Sequence, residues 1–130
     1  MIALDTNVLA RFLLDDTPAQ MKAATNLLHG AERCTAPITV MLELAWVLES
    51  LSWQREDISR AIRLICSLEN FTVQHFDAII ATLYWYENGM GFADGLHLAL
   101  SINSSGMKSF DKSFIKTSRR LKTMPPVSRP

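Results

Sequence analysis

The 130-residue sequence predicts an α/β sandwich with a mainly parallel sheet, on three observations. Short apolar runs at residues 2–4, 34–36, 71–73 and 107–110 have strand length. Longer stretches with apolar residues three and four apart lie between them, as helices do. Strands alternating with helices in one chain are the pattern of an α/β domain. The abundance of adjoining helices leaves an all-α chain as the alternative.

Residues 2–4 read as a buried strand with Asp5 at its carboxyl end. Val8, Leu9, Phe12 and Leu13 follow at helical spacing, and Asp15-Asp16 closes that helix. Pro18 suits the first turn of a helix over 18–28, which runs up to His29-Gly30. Residues 34–36 form a very short strand broken by Pro37. Between 38 and 48 only Thr39 and Glu43 are polar. Met41, Leu42, Leu44 and Ala45 favour helix there, with Thr39 as the expected cap. A polar break at 52–54 precedes a helix over about 56–68 that turns Ile58, Ile62 and Ile65 inward. Residues 71–73 are a strand, and 75–87 and 93–102 are helices separated by Asn88-Gly89-Met90-Gly91. A strand at 107–110 leads to Asp111 and a short helix. Residues 121–124 are expected as an edge strand and 125–130 as a frayed tail.

The chain is long enough to bury about two thirds of its extended surface, and residues 1–130 read as one domain. With 48% apolar residues it is not a disordered chain. Thirteen basic and 13 acidic residues balance, which argues against a protein that coats nucleic acid through net charge. The balance is uneven. From residue 104 onward seven Lys/Arg (Lys108, Lys112, Lys116, Arg119, Arg120, Lys122 and Arg129) face one acid, Asp111. Cys34 and Cys66 have no CxxC spacing and read as reduced core thiols of a cytosolic protein. Nothing resembles a leader peptide, and no apolar run reaches the roughly 18 residues of a membrane span. A cytoplasmic protein without a membrane segment is expected.

Four acids stand in apolar surroundings: Asp5 in "IALDTN", Glu43 in "VMLELAWVL", Asp94 in "GFADGLHLAL" and Asp111 in "KSFDKSF". Asp5 and Asp111 both end expected strands, where open α/β sheets bind their ligands. Glu43 shares a helix face with Trp46 and Val47, which aims it toward packed structure. Asp94 opens a helix with His97 and Leu98 on its side. Buried carboxylates without partners are costly, and no matching set of four bases accompanies them. A divalent cation resolves that charge, and oxygen-only ligands select Mg²⁺ or Mn²⁺ over zinc. Phosphodiester hydrolysis is the chemistry such a centre performs. Helix capping is the competing role for Asp5, Asp94 and Asp111, an ordinary exposed helix position is that for Glu43, and a cap's second oxygen can still face a metal.

Thr6 and Asn7 are placed to orient a ligand carboxylate or a metal water, or else to form ordinary turn contacts. Ser109 adds a hydroxyl near Asp111. His97 reads as a packed or capping residue, and His75 and Asp77 as first-turn residues of their helix. The histidines have no zinc spacing with the cysteines, and "GMG" at 89–91 is no phosphate loop. Tyr84-Trp85-Tyr86 cannot all face one core, so at least one ring is exposed and marks a partner surface.

"ALDTNVLARFL", "ELAWVL", "FADGLHLA" and "KSFDKSF" occur in the order and spacing of the PIN-domain family, and the sequence most resembles the VapC toxins of toxin–antitoxin pairs. The resemblance puts the family's acidic quartet on Asp5, Glu43, Asp94 and Asp111, and its "DTN" start on Asp5, Thr6 and Asn7. Ser109 stands where relatives carry Thr or Ser. It implies a three-layer α/β/α sandwich, a Mg²⁺- or Mn²⁺-dependent endoribonuclease, a homodimer, and silencing by a cognate antitoxin. Lys108, Lys112, Lys116 and Arg119 would then hold the RNA backbone, which four acids otherwise repel. Gly91, where many relatives have Asp, and Gly95, where Ala is frequent, depart from the pattern. A haloacid-dehalogenase-like phosphatase also places Asp after its first strand but needs a second Asp where this chain has Asn7. A non-catalytic PIN-like RNA- or partner-binding protein is the remaining alternative.

Overall fold

Parallel strands cannot be joined by a tight turn, so each pair needs a crossover of a dozen or more residues. In the computed structural model, which describes residues 1–130, the unit Met1–Phe76 meets that demand twice with pairs of helices. β1 (Ile2–Ala3) leads through α1 (Thr6–Leu13) and α2 (Pro18–Leu28) to β2 (Cys34–Ala36). From there α3 (Ile38–Ser50) and α4 (Arg55–Cys66) lead to β3 (Phe71–Val73). The three strands pair in that order and all in parallel, Ile2 beside Cys34 and Cys34 beside Phe71.

Helix faces supply the core of this unit. Leu9, Leu28, Met41, Leu44, Leu48, Ile58, Ile62 and Ile65 lose all solvent contact, at about 1.5–3 kcal/mol for each large apolar side chain fully buried. The three isoleucines form the inward stripe of α4, while Glu56 and Asp57 occupy its first turn, where the helix dipole favours acids. Cys34 is buried and unbridged; Cys66 is half-buried, and burial pushes its thiol up to about 11. The Asn70 side-chain amide donates to the carbonyls of Gly30 (2.8 Å) and Glu32 (2.9 Å), tying β3 to the loop before β2.

Two local details differ from expectation. Thr39 does not cap α3. Pro37 holds that position without a side-chain bond, its fixed φ leading the chain directly from β2 into the helix, and its carbonyl accepts the Val40 N–H. At the other end, the Ser52 and Trp53 amides return to the carbonyls of Glu49 and Leu48, closing α3 with Ser52 in the left-handed region at φ 66.

The unit Asp77–Pro130 continues α5 (Phe76–Glu87) and adds α6 (Phe92–Ala99), β4 (Met107–Lys108), α7 (Lys112–Leu121) and β5 (Val127–Ser128). β4 and β5 are parallel, with Met107 beside Val127 and Lys108 beside Ser128. The Ser109 N–H extends the ladder to the Ser128 carbonyl. Trp85, Met90, Leu98, Ala99, Phe114, Ile115 and Val127 form the core. α6 runs close over α5 because Gly95 lacks a side chain; a Cβ there would meet the Thr82 methyl at 3.3 Å. Of the aromatic triplet, Trp85 and Tyr86 are buried and Tyr84 is exposed.

The C-terminal expectations are corrected. Residues 121–124 are no strand: Leu121 ends α7, and Lys122 turns left-handed (φ 53) to close it, with the Lys122 and Thr123 amides returning to Arg119 and Ser118. The terminal segment does not fray. Val127 is an apolar residue that reaches the core, so the strand forms there and pairs with β4. His75 lies before α5 in a left-handed conformation (φ 55) and not in its first turn. No helix is long and apolar enough to cross a membrane.

Candidate functional site

Asp5 follows β1 and caps α1: its Oδ1 accepts the Thr6 N–H at 2.8 Å. Only one carboxylate oxygen is used, and the side chain is exposed. Glu43 lies mid-way along α3 on an exposed face beside Trp46, itself 67% exposed. The expectation that Glu43 points into packed structure is therefore corrected. Met41, Leu44, Ala45 and Leu48 already fill the inward face of α3 and leave Glu43 and Trp46 to solvent.

In the other unit, Asp111 caps α7, its Oδ1 accepting the Phe114 N–H at 3.1 Å, and its own N–H donates to Ser109 Oγ at 3.0 Å. Ser109 thus sets the turn that aims Asp111. Asp94 sits in the first turn of α6, whose cap is Gly91, so the capping role considered for it is not the one it takes. Its carboxyl is half-buried and held above the ordinary range, first by burial, then by the charge of Asp111, with exposed His97 drawing it partly back. The structure therefore brings Asp94 and Asp111 together electrostatically. Burial bears on Asp94 alone; Asp5, Glu43 and Asp111 are exposed, so the desolvation argument does not extend to them. His97 is not packed, because its neighbours Leu96, Leu98 and Ala99 take the buried face.

Neither unit by itself brings three or more His, Cys, Asp or Glu side chains within reach of one ion. The donors present nevertheless suit a hard cation. None of the four acids takes part in a salt bridge; Arg11–Asp16 and Arg60–Asp57 pair elsewhere, and His97 acts on Asp94 only through its field. The Thr6 hydroxyl, next to Asp5, is buried without any hydrogen-bond partner. Mg²⁺ uses one or two carboxylates and keeps most of its waters, so oxygen donors in pairs fit it, whereas zinc wants nitrogen or sulfur.

The basic C-terminal segment is sorted by the fold into separate roles. Lys112, Lys116, Arg119 and Arg129 line a groove of about 380 Å³ floored by Ile115. Arg120 faces elsewhere, donating to the Asn88 carbonyl. Lys108 Nζ donates to Ser128 Oγ at 2.9 Å across the β4–β5 pair. Asn7 lines a different groove, of about 520 Å³, with Val8, Arg11, Gln20 and Leu27. One side chain beside the basic groove, Phe110, escaped the sequence reading, in which Arg129 is a base without its ring partner. Phe110 is 72% exposed, and the Arg129 guanidinium lies over its ring, 5.9 Å from the centroid. The signal was the pair of phenylalanines in "KSFDKSF". Phe114 falls on the inner face of α7, while Phe110 precedes the cap and has no core position to occupy.

The family model described as PIN domain matches residues 2–120 of the chain. No curated protein matches it.

Proposed function

The chain belongs to the PIN-domain family, and from that premise we propose that it is an endoribonuclease that uses Mg²⁺ or Mn²⁺ to hydrolyse RNA phosphodiester bonds. The observation that carries this reading is the Asp94–Asp111 pair, two carboxylates without a salt-bridge partner, in which burial and the charge of Asp111 raise the Asp94 carboxyl and His97 offsets this only in part. Asp5, Glu43, Asp94 and Asp111 would hold the metal. When bound, the cation polarises the scissile phosphate and lowers the pKa of water. The chain's own residues do the remaining work. Asp5 and Asp111 each commit one oxygen to a backbone N–H, which locks the carboxylate and leaves the other oxygen for the site. Ser109 fixes the Asp111 turn, the Thr6 N–H holds Asp5, and the Thr6 hydroxyl and Asn7 next along the chain would orient a metal-bound water. Lys108, Lys112, Lys116 and Arg119 hold the RNA backbone against repulsion from the acids. Hydrolysis on these terms leaves a 5′-phosphate and a 3′-hydroxyl.

The biological reading is the toxin of a toxin–antitoxin pair, a homodimer silenced by a cognate antitoxin, with residues 1–130 acting as one nuclease domain. Large exposed apolar side chains, among them Trp46, Leu64 and Tyr84, support a protein that is covered by partners. The test incubates the purified chain, free of any antitoxin, with total cellular RNA and Mg²⁺ or Mn²⁺. Wild type should cut, and EDTA, Asp5→Asn and Asp94→Asn should each abolish cutting. RNA bound but left intact by folded protein under both metals would replace this reading with that of a non-catalytic PIN-like binder. Cutting that survives Asp5→Asn would move the site elsewhere.

A further inference from the structure

The basic groove and the exposed ring beside it form one surface with two chemistries. Lys112, Lys116 and Arg119 line the groove on α7, and none forms an ion pair. Arg129 belongs to both parts, since it lines the groove and lies over the Phe110 ring. Phe110 exposes 72% of its surface, a large apolar area that no segment of the chain covers. Its position is fixed from both sides: the Ser109 N–H is bonded to the Ser128 carbonyl, and Asp111 is the cap of α7. A ring on so short a leash is pre-organised, so a ligand stacking on it orders little new structure.

We infer that Phe110 and Arg129 form a stacking platform for one unpaired base, whose flanking phosphates lie in the groove of Lys112, Lys116 and Arg119. The occupant is single-stranded RNA. An anionic backbone matches the four cations, a base face matches the ring, and Arg129 continues the stack as a guanidinium plane. A duplex hides its base faces and does not fit. This inference rests on the nuclease reading and deepens it. Phe110 directly precedes Asp111, so the platform positions the nucleotide next to the proposed acidic centre and restricts cutting to unpaired RNA. Phe110 is a positioning residue in this account.

Fluorescence anisotropy with a short labelled oligouridylate, the full chain and EDTA measures binding without chemistry. Phe110→Ala is expected to weaken binding about tenfold, the effect of removing one aromatic stack. Phe110→Leu should be equally weak and Phe110→Trp should restore affinity, a pattern that a merely structural role would reverse. Lys116→Gln should lower the slope of log affinity against log salt by about 0.7, the contribution of one single-strand phosphate contact. Lys22→Gln on α2 should leave that slope unchanged. The oligouridylate annealed to its complement should bind far more weakly. Full affinity in Phe110→Ala, rescue by Leu, equal binding of the duplex, or no binding of the single strand would each overturn the platform. The two readings fail separately. Binding with this pattern but no cutting under Mg²⁺ or Mn²⁺ removes only the nuclease, and cutting with unchanged Phe110→Ala binding removes only the platform.

Discussion

The Asp94 carboxyl carries a raised proton affinity because it is half-buried in the first turn of α6 and lies within the field of Asp111. The two residues come from different elements, one from a helix turn and one from the cap of the next helix, so their proximity is a property of the fold. It has a thermodynamic sign. A carboxyl whose folded pKa lies above its unfolded value contributes stability below the unfolded pKa, about 3.9 for Asp. That contribution is lost as pH rises through the folded pKa. Asp94→Asn should therefore raise the Tm at neutral pH in metal-free buffer. The gain should vanish as the pH falls below the ordinary carboxylate range. Calorimetry across pH 3–8, roughly the span of these titrations, checks it.

Gly91 offers a second way to probe the same field. A Cβ at Gly91 would stand 3.4 Å from Asp94 Oδ2, in ordinary contact, at a backbone conformation any residue adopts. Gly91→Asp should place a further negative charge beside Asp94 and push its carboxyl higher still. Asp111→Asn should move it down. Carboxyl carbon titrations by NMR read both shifts, and equal titration curves in all three proteins would remove the coupling.

Metal should stabilise the folded chain if the acids hold it. At ten times the dissociation constant a bound ion adds about 1.4 kcal/mol. Mg²⁺ or Mn²⁺ should raise the Tm of the wild type near neutral pH, and EDTA should reverse the shift. Asp5→Asn and Asp94→Asn should respond less. An equal metal shift in the Asp5→Asn protein would exclude Asp5 as a ligand.

Asp111 has a structural duty separable from the metal-holding one proposed for it. Asp111→Ala should cost about 1 kcal/mol by losing the α7 cap, whereas Asp111→Asn keeps the acceptor and most of that stability. Both should lose cutting. Urea denaturation beside the RNA assay distinguishes the two roles.

Ser52 and Lys122 close α3 and α7 in the left-handed region, where glycine has no steric penalty. Ser52→Gly and Lys122→Gly should each stabilise by about 0.5–1 kcal/mol, the steric gain less the extra entropy of glycine in the unfolded chain. A higher urea midpoint at unchanged slope is the expected readout.

The sequence makes the helices legible because their apolar stripes repeat: α2 has its expected bounds, and the α4 isoleucines are buried as their spacing requires. β2 and β3 are legible for the opposite reason, since a three-residue apolar run between polar breaks has no other use. β5 is not legible. A two-residue strand with one buried side chain, Val127, has no periodicity to read, and its prolines suggest a tail. The acids are legible as residues but not in their exposure. An apolar neighbourhood in sequence says where the neighbours go, and Glu43 lies on the face that Met41, Leu44 and Leu48 leave behind. The link between Asp94 and Asp111 depends on tertiary placement and has no local signature.

The β4–β5 pair also bears on the order in which the chain can fold during synthesis. All three strands of the first sheet lie before residue 74, so that sheet has its partners while the remainder is still being translated. Met107 must wait for Val127. The unit that carries Asp94 and Asp111 cannot close its core until that last strand has left the ribosome. A nascent chain arrested shortly before it would hold a finished first sheet and an unpaired β4.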